Sequence, residues 1–564
     1  MARSNHLFEQ PLRSYKGLLK RSFRKGNNSS METHLLRIWG TAQMQRIART
    51  LDLMEESDDG PRFLYARSTL LFFCVAVLAL GCNRRMAHNF IQGSDRLRAA
   101  VGLPPISASA REALDASEDD EDVAEPGFPT RQMISEFVNW LKRWLANPAH
   151  ELEGVEGLNF LRKEAYEESV VDVFARHPEL RANAFAIDGK RVLSPNAGPD
   201  HRKRTDEGAE FHTKDGSRVF CRMKFSAVNQ DVPLILYSEM TSPVSELAYA
   251  QNTFVPHLVN HIERLRSHAK TAAPLAGLHR AMVCGDGIFR NSKITQQLYE
   301  HDLLAGFRRP NGVVREFEGL RRVESKGEIA VLDVCNDGVH LCDCDRIAHK
   351  PGCDGSGPDC DCPARPIHER ALMFQDLHAY GLDGGVYVTC LRPTCSHAGT
   401  KFYVRFTKPN VTSDGELIAK PGPAYDLVSP VWRGDIRYHD IVFKATQAVE
   451  HYHGQLAKLL GIGFNDRSGR RQFFGNFANE FWFTLGDLIW NLNIGFKLDR
   501  WKADGKVRDE LSWENLWGRA LNQWHEIWRK TDGKRLPGET RAAQRARVHM
   551  PRLGAYYLGK KLIT

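Results

Sequence analysis

Long apolar segments are scarce in this sequence of 564 residues. The longest, TLLFFCVAVLALGC at residues 69–82, is shorter than the roughly 20 residues that a membrane-spanning helix needs. It also begins too far along the chain for a signal peptide. We therefore predict that this segment is a buried helix, that the protein has no membrane partner, and that its location is cytoplasmic.

The sequence also has no repeat of fixed period and no clear helix-turn-helix signature. Its net charge of +8 is small for the length, but the charge is uneven. Residues 13–28 and 497–561 are basic, and an acidic run at residues 116–125 lies between them. Basic ends suit a polyanionic partner, and a plain solvated surface explains each end equally well.

Cysteine is limited to twelve residues, and a reducing location excludes a disulfide framework as their main use. Most of them cluster in one segment, where thiolate and imidazole ligands suit a tetrahedral zinc ion. We predict one or two structural Zn²⁺ ions there, with reduced surface thiols as the alternative and Cys335 as a further ligand candidate. The proposed ligands are Cys342, Cys344, Cys353, Cys360, Cys362, Cys390, Cys395 and His397.

Composition and patterning divide the chain into six segments, and 42% hydrophobic residues are enough for more than one core. Residues 1–108 form a helical N-terminal region and 109–129 an acidic linker or loop. Residues 130–310 begin an α/β domain, 311–430 are a β- and Cys-rich insert, and 431–498 complete the domain. Residues 499–564 are a basic, Trp-rich helical region.

The α/β domain follows a distinct order of elements. Three segments rich in Val, Ile, Phe and Tyr are typical of strands, and a long helix, a strand, a shorter helix and a last strand follow. This order predicts an α/β (α+β) fold with a mixed sheet flanked by helices, and it is the order of the RNase H-like fold.

Two acidic residues end apolar strands of this series, Asp188 in AFAIDGKRVLS and Asp286 in RAMVCGDGIF. Carboxylates held together at a sheet edge repel one another unless a hard cation lies between them, and Mg²⁺ prefers oxygen ligands. Two such ions can promote phosphodiester cleavage. A third acid is expected from the helix after the insert. Glu450 borders an apolar stripe and is preferred over Glu480, which lies in an apolar helix.

These blocks resemble a known family. FAIDGKRV, MVCGDGIFRN and QAVEHYHGQLAKLLGI are similar to the catalytic blocks of insertion-sequence DDE transposases with an RNase H-like core. The resemblance covers about residues 180–310 and 430–495. It implies that Asp188, Asp286 and Glu450 bind catalytic Mg²⁺ or Mn²⁺. It further implies a homodimer acting on double-stranded DNA, at the element ends and the target, with end recognition by the N-terminal helices.

The surroundings of the third acid depart from the family pattern. The positions where that family commonly has Tyr, Arg and Lys hold Phe443, Thr446 and Ala457. Two alternatives therefore stay open beside an active transposase. One is a catalytically weakened, zinc-containing DNA-binding protein descended from a transposase, and the other is a related metal-dependent nuclease without strand transfer.

Other basic or aromatic segments allow two interpretations each. Residues 198–216, with His212 and Lys214, are either a DNA-contacting loop or an exposed hairpin loop. The C-terminal segment repeats tryptophan at helical spacing, which suits either nucleic-acid contact or a core-facing helix. The residues concerned are Trp513, Trp517, Trp524 and Trp528.

Overall fold

The computed structural model describes the chain from residue 29 to residue 503 with gaps. The described ranges are 29–54, 63–80, 84–116, 125–146, 151–152, 155–194, 208–214, 217–242, 245–279, 281–307, 442, 444–460 and 475–503, together with eight short strands between residues 321 and 422.

A mixed β-sheet forms the centre of the fold. Its strands are β3 (Ala184–Leu193), β4 (Glu210–Lys214), β5 (Ser217–Asn229), β6 (Ile235–Thr241), β7 (Met282–Gly285) and β8 (Leu304–Phe307), and a separate small hairpin of β1 (Glu151–Leu152) and β2 (Val155–Glu156) precedes them. The sheet order is β4-β5-β3-β7-β8, and β6 also pairs with β5. β3, β5 and β6 are antiparallel neighbours, whereas β3, β7 and β8 run parallel. The mixed sheet predicted from the sequence is confirmed.

The sequence predicted that this strand ends at Asp188, but β3 continues past that residue. Only its fully buried part, Ala184 to Ile187, ends there, and the strand continues to Leu193 because β5 keeps pairing with it. Gly189 is therefore a strand residue and not part of a turn. A Cβ atom at Gly189 would lie 3.0 Å from Cε1 of Phe225, the residue directly opposite, so close packing requires glycine here.

Helices precede, follow and interrupt the sheet strands. The N-terminal ones are α1 (Ser29–Trp39), α2 (Ala42–Leu53), α3 (Arg67–Ala79), α4 (Arg84–Gln92), α5 (Asp95–Ala100), α6 (Ala108–Ala116), α7 (Arg131–Ala146), α8 (Gly157–Lys163) and α9 (Ser169–Arg176). The later ones are α10 (Glu246–Tyr249), α11 (Val255–Ser267), α12 (Ser292–Glu300), α13 (Lys444–Leu460) and α14 (Asn476–Ala503). Single π-helical turns, Glu164–Glu168 and Ala250–Phe254, join α8 to α9 and α10 to α11. The predicted order of strands and helices is therefore found from residue 184 to residue 307, with one strand more, β4, between the first two predicted strands.

The apolar segment at residues 69–82 forms most of α3, as predicted. Every residue from Thr69 to Ala79 is buried. Helices α1, α2, α4, α7, α13 and α14 all pack against α3. A helix surrounded by other helices is hydrophobic on all sides, which explains its composition. Among the described helices, none is long and apolar enough to cross a membrane.

α14 joins the N-terminal helices to the sheet. It packs on β6, on the π-helical turn of residues 164–168, and on α1, α3, α7, α8, α9 and α13. Apolar side chains on several sides of α14 are buried, among them Trp482, Leu485, Ile489 and Leu492. The sheet and the helices thus share one continuous hydrophobic core.

The predicted insert contains short antiparallel strands where it is described. They are β9 (Arg321–Glu324), β10 (Ile329–Val334), β11 (His340–Leu341), β12 (Leu372–Phe374), β13 (Gly385–Cys390), β14 (Lys401–Arg405), β15 (Lys408–Val411) and β16 (Leu417–Gly422). The predicted zinc ligands lie outside the described residues except Cys390, of which only the backbone is described. The zinc hypothesis therefore stays a prediction.

A buried ion pair stabilises the packing of the N-terminal helices. The guanidinium of Arg98, which is fully buried, donates 2.8 Å and 3.0 Å hydrogen bonds to the two carboxylate oxygens of Glu125. Glu125 belongs to the acidic segment 109–129. The first residues of this segment form most of α6, and its later residue Phe128 is buried. Burial acts to raise the pKa of Glu125, but the bonds from Arg98 and from the Ser107 N–H outweigh it and keep that pKa below its usual value.

Glu125→Ala tests the strength of this pair. The substitution leaves the buried Arg98 charge without its partner, and we expect the free energy of unfolding to fall by about 3–5 kcal/mol. Urea denaturation at pH 7 measures this change.

The control is Arg111→Ala, which removes a half-exposed ion pair with Asp95 and should cost less than about 1 kcal/mol. A pKa lower in the folded state stabilises the fold above the unfolded pKa, which is about 4.3 for Glu. The difference between Glu125→Ala and wild type should therefore shrink as the pH falls below about 4. A loss no larger than that of the control would contradict the interpretation.

Candidate functional site

Asp188 and Asp286 occupy matching positions on neighbouring parallel strands. The register pairs Ala184 with Met282 and Ala186 with Cys284, and the same register continued by two residues sets Asp286 opposite Asp188. The backbone of Asp286 is extended, although β7 ends one residue earlier. Neighbouring strands lie about 4.8 Å apart. The two acids predicted as metal ligands are therefore next to each other at the edge of the sheet where β7 ends.

The helix that carries Glu450 lies over these strands. α13 packs on β3, β5 and β7 through its buried residues Ala445, Val449 and Tyr452. Their spacing of four and three residues marks one face of a helix. Glu450 follows Val449 and is exposed, so it borders the packed face, as the sequence predicted.

The nearest polar partner of Asp188 is a histidine that sequence reasoning did not single out. His453 Nδ1 lies 3.1 Å from Asp188 Oδ2, and His453 Nε2 lies 3.3 Å from Ser226 Oγ. His453 is 1% exposed and Asp188 18% exposed. The histidine stands three residues after Glu450, which is less than one turn of the same helix.

A buried ion pair lies deeper, between the sheet and the helices α13 and α14. Lys224 Nζ donates a 2.7 Å hydrogen bond to Asp487 Oδ2, and both side chains are at most 1% exposed. The hydroxyls of Tyr166 and Tyr452 donate to the same carboxylate at 2.8 Å and 2.6 Å. Lys224 therefore neutralises the charge of Asp487, and the two hydroxyls supply the further hydrogen bonds that a buried carboxylate requires.

The burial of these groups determines their protonation. Burial lowers the pKa of His453 below its usual value, and the attraction of Asp188 does not fully offset this effect. The histidine is therefore neutral at pH 7. Burial and the neighbouring Asp487 charge raise the pKa of Tyr166 and Tyr452 well above the usual value, so both phenols keep the protons that they donate.

Glu480, the other candidate for the third acid, is a structural residue. It is buried and forms a 3.1 Å ion pair with Arg162, and its Oε1 accepts a 2.9 Å hydrogen bond from the backbone N–H of Met240. These contacts attach α14 to α8 and to the edge strand β6. Because both of these contacts occupy the carboxylate of Glu480, Glu450 remains the better candidate for the third acid.

The acids at this edge fit a hard divalent cation by their chemistry. Asp188, Asp286 and Glu450 supply carboxylate oxygens, which Mg²⁺ and Mn²⁺ prefer. Asp286 and Glu450 are both exposed. Across the described part of the chain, no three or more His, Cys, Asp or Glu side chains are grouped so that they could hold a metal ion. The strand register pairs Asp188 with Asp286, and Glu450 lies on the helix over these strands, but the three side chains are not grouped closely enough to hold one metal ion.

Several other predicted functional residues can be placed only in part. His212 and Lys214 lie on β4, which pairs with β5 as a hairpin, so this part of the predicted loop is a strand. Thr446 donates a 2.6 Å hydrogen bond to the carbonyl of Val442, which precedes α13. Phe443 and the four C-terminal tryptophans lie outside the described residues.

The residues that sequence reasoning missed carry a weak signal. Arg222, Lys224 and Ser226 alternate with apolar residues in β5, and all three are buried. A polar row on a buried strand requires partners from the elements that cover it. Asp487 is likewise a single acid within the apolar segment TLGDLIWNL, but nothing in the sequence pairs it with Lys224.

The sequence matches no protein-family model, and no curated protein matches it.

Removal of one partner tests the buried pair beneath the site. Asp487→Leu leaves the Lys224 charge buried and unpaired, and we expect it to lower the free energy of unfolding by about 3–5 kcal/mol. Adding Lys224→Met removes the stranded charge and should recover much of that loss, because apolar replacement of both partners is often tolerated. Urea denaturation of both variants measures the difference.

Asp172→Ala is the control, because Asp172 pairs with Arg176 on the surface of α9 and should contribute less than about 1 kcal/mol. A double variant no more stable than Asp487→Leu would show that the unpaired charge is not the cause.

Proposed function

We propose that the protein is a DDE-type DNA transposase with an RNase H-like catalytic domain, which cleaves the ends of a mobile element and joins them to target DNA. The observation that carries the proposal is the parallel register that sets Asp286 opposite Asp188, with the Glu450 helix packed over both strands. Four strands joined by antiparallel pairing, β3 to β6, precede the two strands β7 and β8 that run parallel to β3, with helices between, and this order supports the RNase H-like assignment.

The chemistry needs no nucleophile from the protein. Asp188, Asp286 and Glu450 would hold Mg²⁺ or Mn²⁺, which supplies activation of the attacking oxygen and stabilisation of the leaving oxygen. Water attacks the phosphodiester at the element end, and the freed 3′-hydroxyl then attacks the target DNA. The protein residues position the acids, keep Asp188 anchored beside His453, and bind the DNA backbone. A homodimer would bring two element ends together.

A catalytically weakened DNA-binding descendant is the second candidate. One observation favours it: Thr446 donates a hydrogen bond to the Val442 carbonyl at a position where the family commonly has a phosphate-binding arginine. A nuclease without strand transfer is the remaining alternative, and a zinc-bearing insert suits all three.

Lys190 can supply a positive charge beside the acids. It follows Asp188 by two residues on β3, so both side chains lie on the same face. Its cross-strand neighbour Lys224 is matched by Asp487. Among the described side chains, no carboxylate lies within ion-pair distance of Lys190. Its partly exposed ammonium group is therefore available to a DNA phosphate beside the acids.

Asp188→Ala tests the catalytic proposal. With a supercoiled plasmid carrying the DNA that flanks the gene on both sides, and with Mg²⁺ or Mn²⁺, the variant should lose cleavage and strand transfer and keep DNA binding. Gel analysis detects nicked, linear and joined products. Glu300→Ala, an exposed acid at the end of α12, is the matched control and should cleave like wild type.

The outcomes separate the three candidates. Cleavage by Asp188→Ala at the wild-type rate would overturn the assignment of the site. Cleavage by the wild type without joined products indicates a nuclease, and DNA binding without any cleavage indicates the weakened descendant.

Lys190→Ala tests the phosphate contact. Because one phosphate contact contributes about one unit to the slope of log K against log salt, the variant should reduce that slope by about one and weaken binding evenly across sequences. Fluorescence anisotropy of a labelled duplex between low and moderate salt measures the slope. Lys270→Ala is the control, because Lys270 is exposed and lies in the turn after α11, before β7, whereas Asp286 follows the end of β7. Equal slopes for both variants would contradict a Lys190 contact.

A further inference from the structure

A chain of hydrogen bonds leads from the buried ion pair to the candidate site. Lys224 Nζ contacts Ser238 Oγ, and Ser238 Oγ lies 3.4 Å from Ser226 Oγ. Ser226 Oγ lies 3.3 Å from His453 Nε2, and His453 Nδ1 lies 3.1 Å from Asp188 Oδ2. The intermediate side chains are buried and come from β5, β6 and α13.

The two ends of this chain determine the direction of every hydrogen bond in it. The Lys224 ammonium can only donate, and the Asp188 carboxylate can only accept. Ser238 therefore accepts from Lys224 and is free to donate to Ser226, and Ser226 donates to His453 Nε2. His453 then carries its proton on Nδ1, where it donates to Asp188. The opposite tautomer would place two acceptors 3.1 Å apart.

The far end of the chain is held rigidly. The carboxylate of Asp487 accepts hydrogen bonds from Lys224 and from the hydroxyls of Tyr166 and Tyr452. Tyr452 is the residue directly before His453. The ring of His453 is therefore located by its own helix, by two strands and, through Tyr452, by α14.

We propose that His453 is a positioning residue for Asp188, which orients the carboxylate for a divalent cation. This inference rests on the proposed function. The Nδ1–H bond engages Oδ2, and no donor among the described residues contacts Oδ1, so one carboxylate oxygen is oriented and the other would remain for a cation. Partners of metal ligands orient those ligands in this way in many sites, and their loss typically weakens metal binding by about 10–100-fold.

Three substitutions of His453 separate positioning from packing. His453→Ala removes the donor. His453→Asn keeps a donor, because its amide nitrogen is as many bonds from Cα as Nδ1 and can reach Asp188. His453→Gln carries its nitrogen one bond farther, towards the Nε2 position and Ser226. All three remove the buried ring, so only the donor to Asp188 distinguishes Asn from the other two.

The measurement is Mn²⁺ binding to the full-length protein without DNA, followed by electron paramagnetic resonance. The binding that Asp188→Ala abolishes defines the site. At that site we expect His453→Ala and His453→Gln to weaken Mn²⁺ by about 10–100-fold, and His453→Asn to stay within about threefold of wild type. Thermal unfolding without metal should lower the melting temperature similarly in all three variants.

The possible results lead to distinct conclusions. If Asp188→Ala binds Mn²⁺ like wild type, the proposed metal site itself fails. If Asp188→Ala loses binding but the three His453 variants share one affinity, the positioning role is overturned and the proposed function stands. Should the His453 variants not fold, Ser226→Ala replaces them. It removes the hydrogen-bond partner of His453 Nε2 and with it one of the contacts that locate the ring, so weaker Mn²⁺ binding supports the proposal and unchanged binding overturns it.

Discussion

The ion pair between Lys224 and Asp487 is the constraint on which the arrangement of this fold depends. Both groups are removed from water, and a buried charge without its partner is costly. Lys224 lies on a central strand, and Asp487 lies on the longest helix of the described chain. The two tyrosines that donate hydrogen bonds to the carboxylate of Asp487 come from the π-helical turn of residues 164–168 and from α13. One charge thus requires four elements to meet at one place.

This requirement explains why a polar row is tolerated inside the sheet. Ser226, Ser238 and Lys224 are buried between the sheet and the helices that cover it, and each side chain has a partner. Because a buried polar network is stable only when every member is satisfied, the row fixes how α13 and α14 lie on the strands. The same geometry places His453 against Asp188 and leaves Glu450 at the solvent border.

The acids themselves are held by backbone geometry. The parallel pairing of β3 and β7 sets Asp286 opposite Asp188, and the antiparallel pairing with β5 continues β3 beyond that point. Asp188 is consequently fixed within a ladder, whereas Asp286 follows the end of its strand and is exposed. The site therefore has one rigid and one more accessible acid at the same sheet edge.

The sequence by itself determined the elements, since alternation and helical periodicity are local properties. The strands β3, β5, β6, β7 and β8 with the helices among them, the buried helix α3, and the elements that carry or adjoin Asp188, Asp286 and Glu450 could be predicted, whereas β4 lies in a segment that was predicted to be a loop. The end of β3 could not, because pairing with β5 decides it. The partners of the polar groups also came only from the tertiary structure. Lys224 and Asp487 are 263 positions apart and His453 is 265 from Asp188, so only the packing of helices on the sheet brings them together.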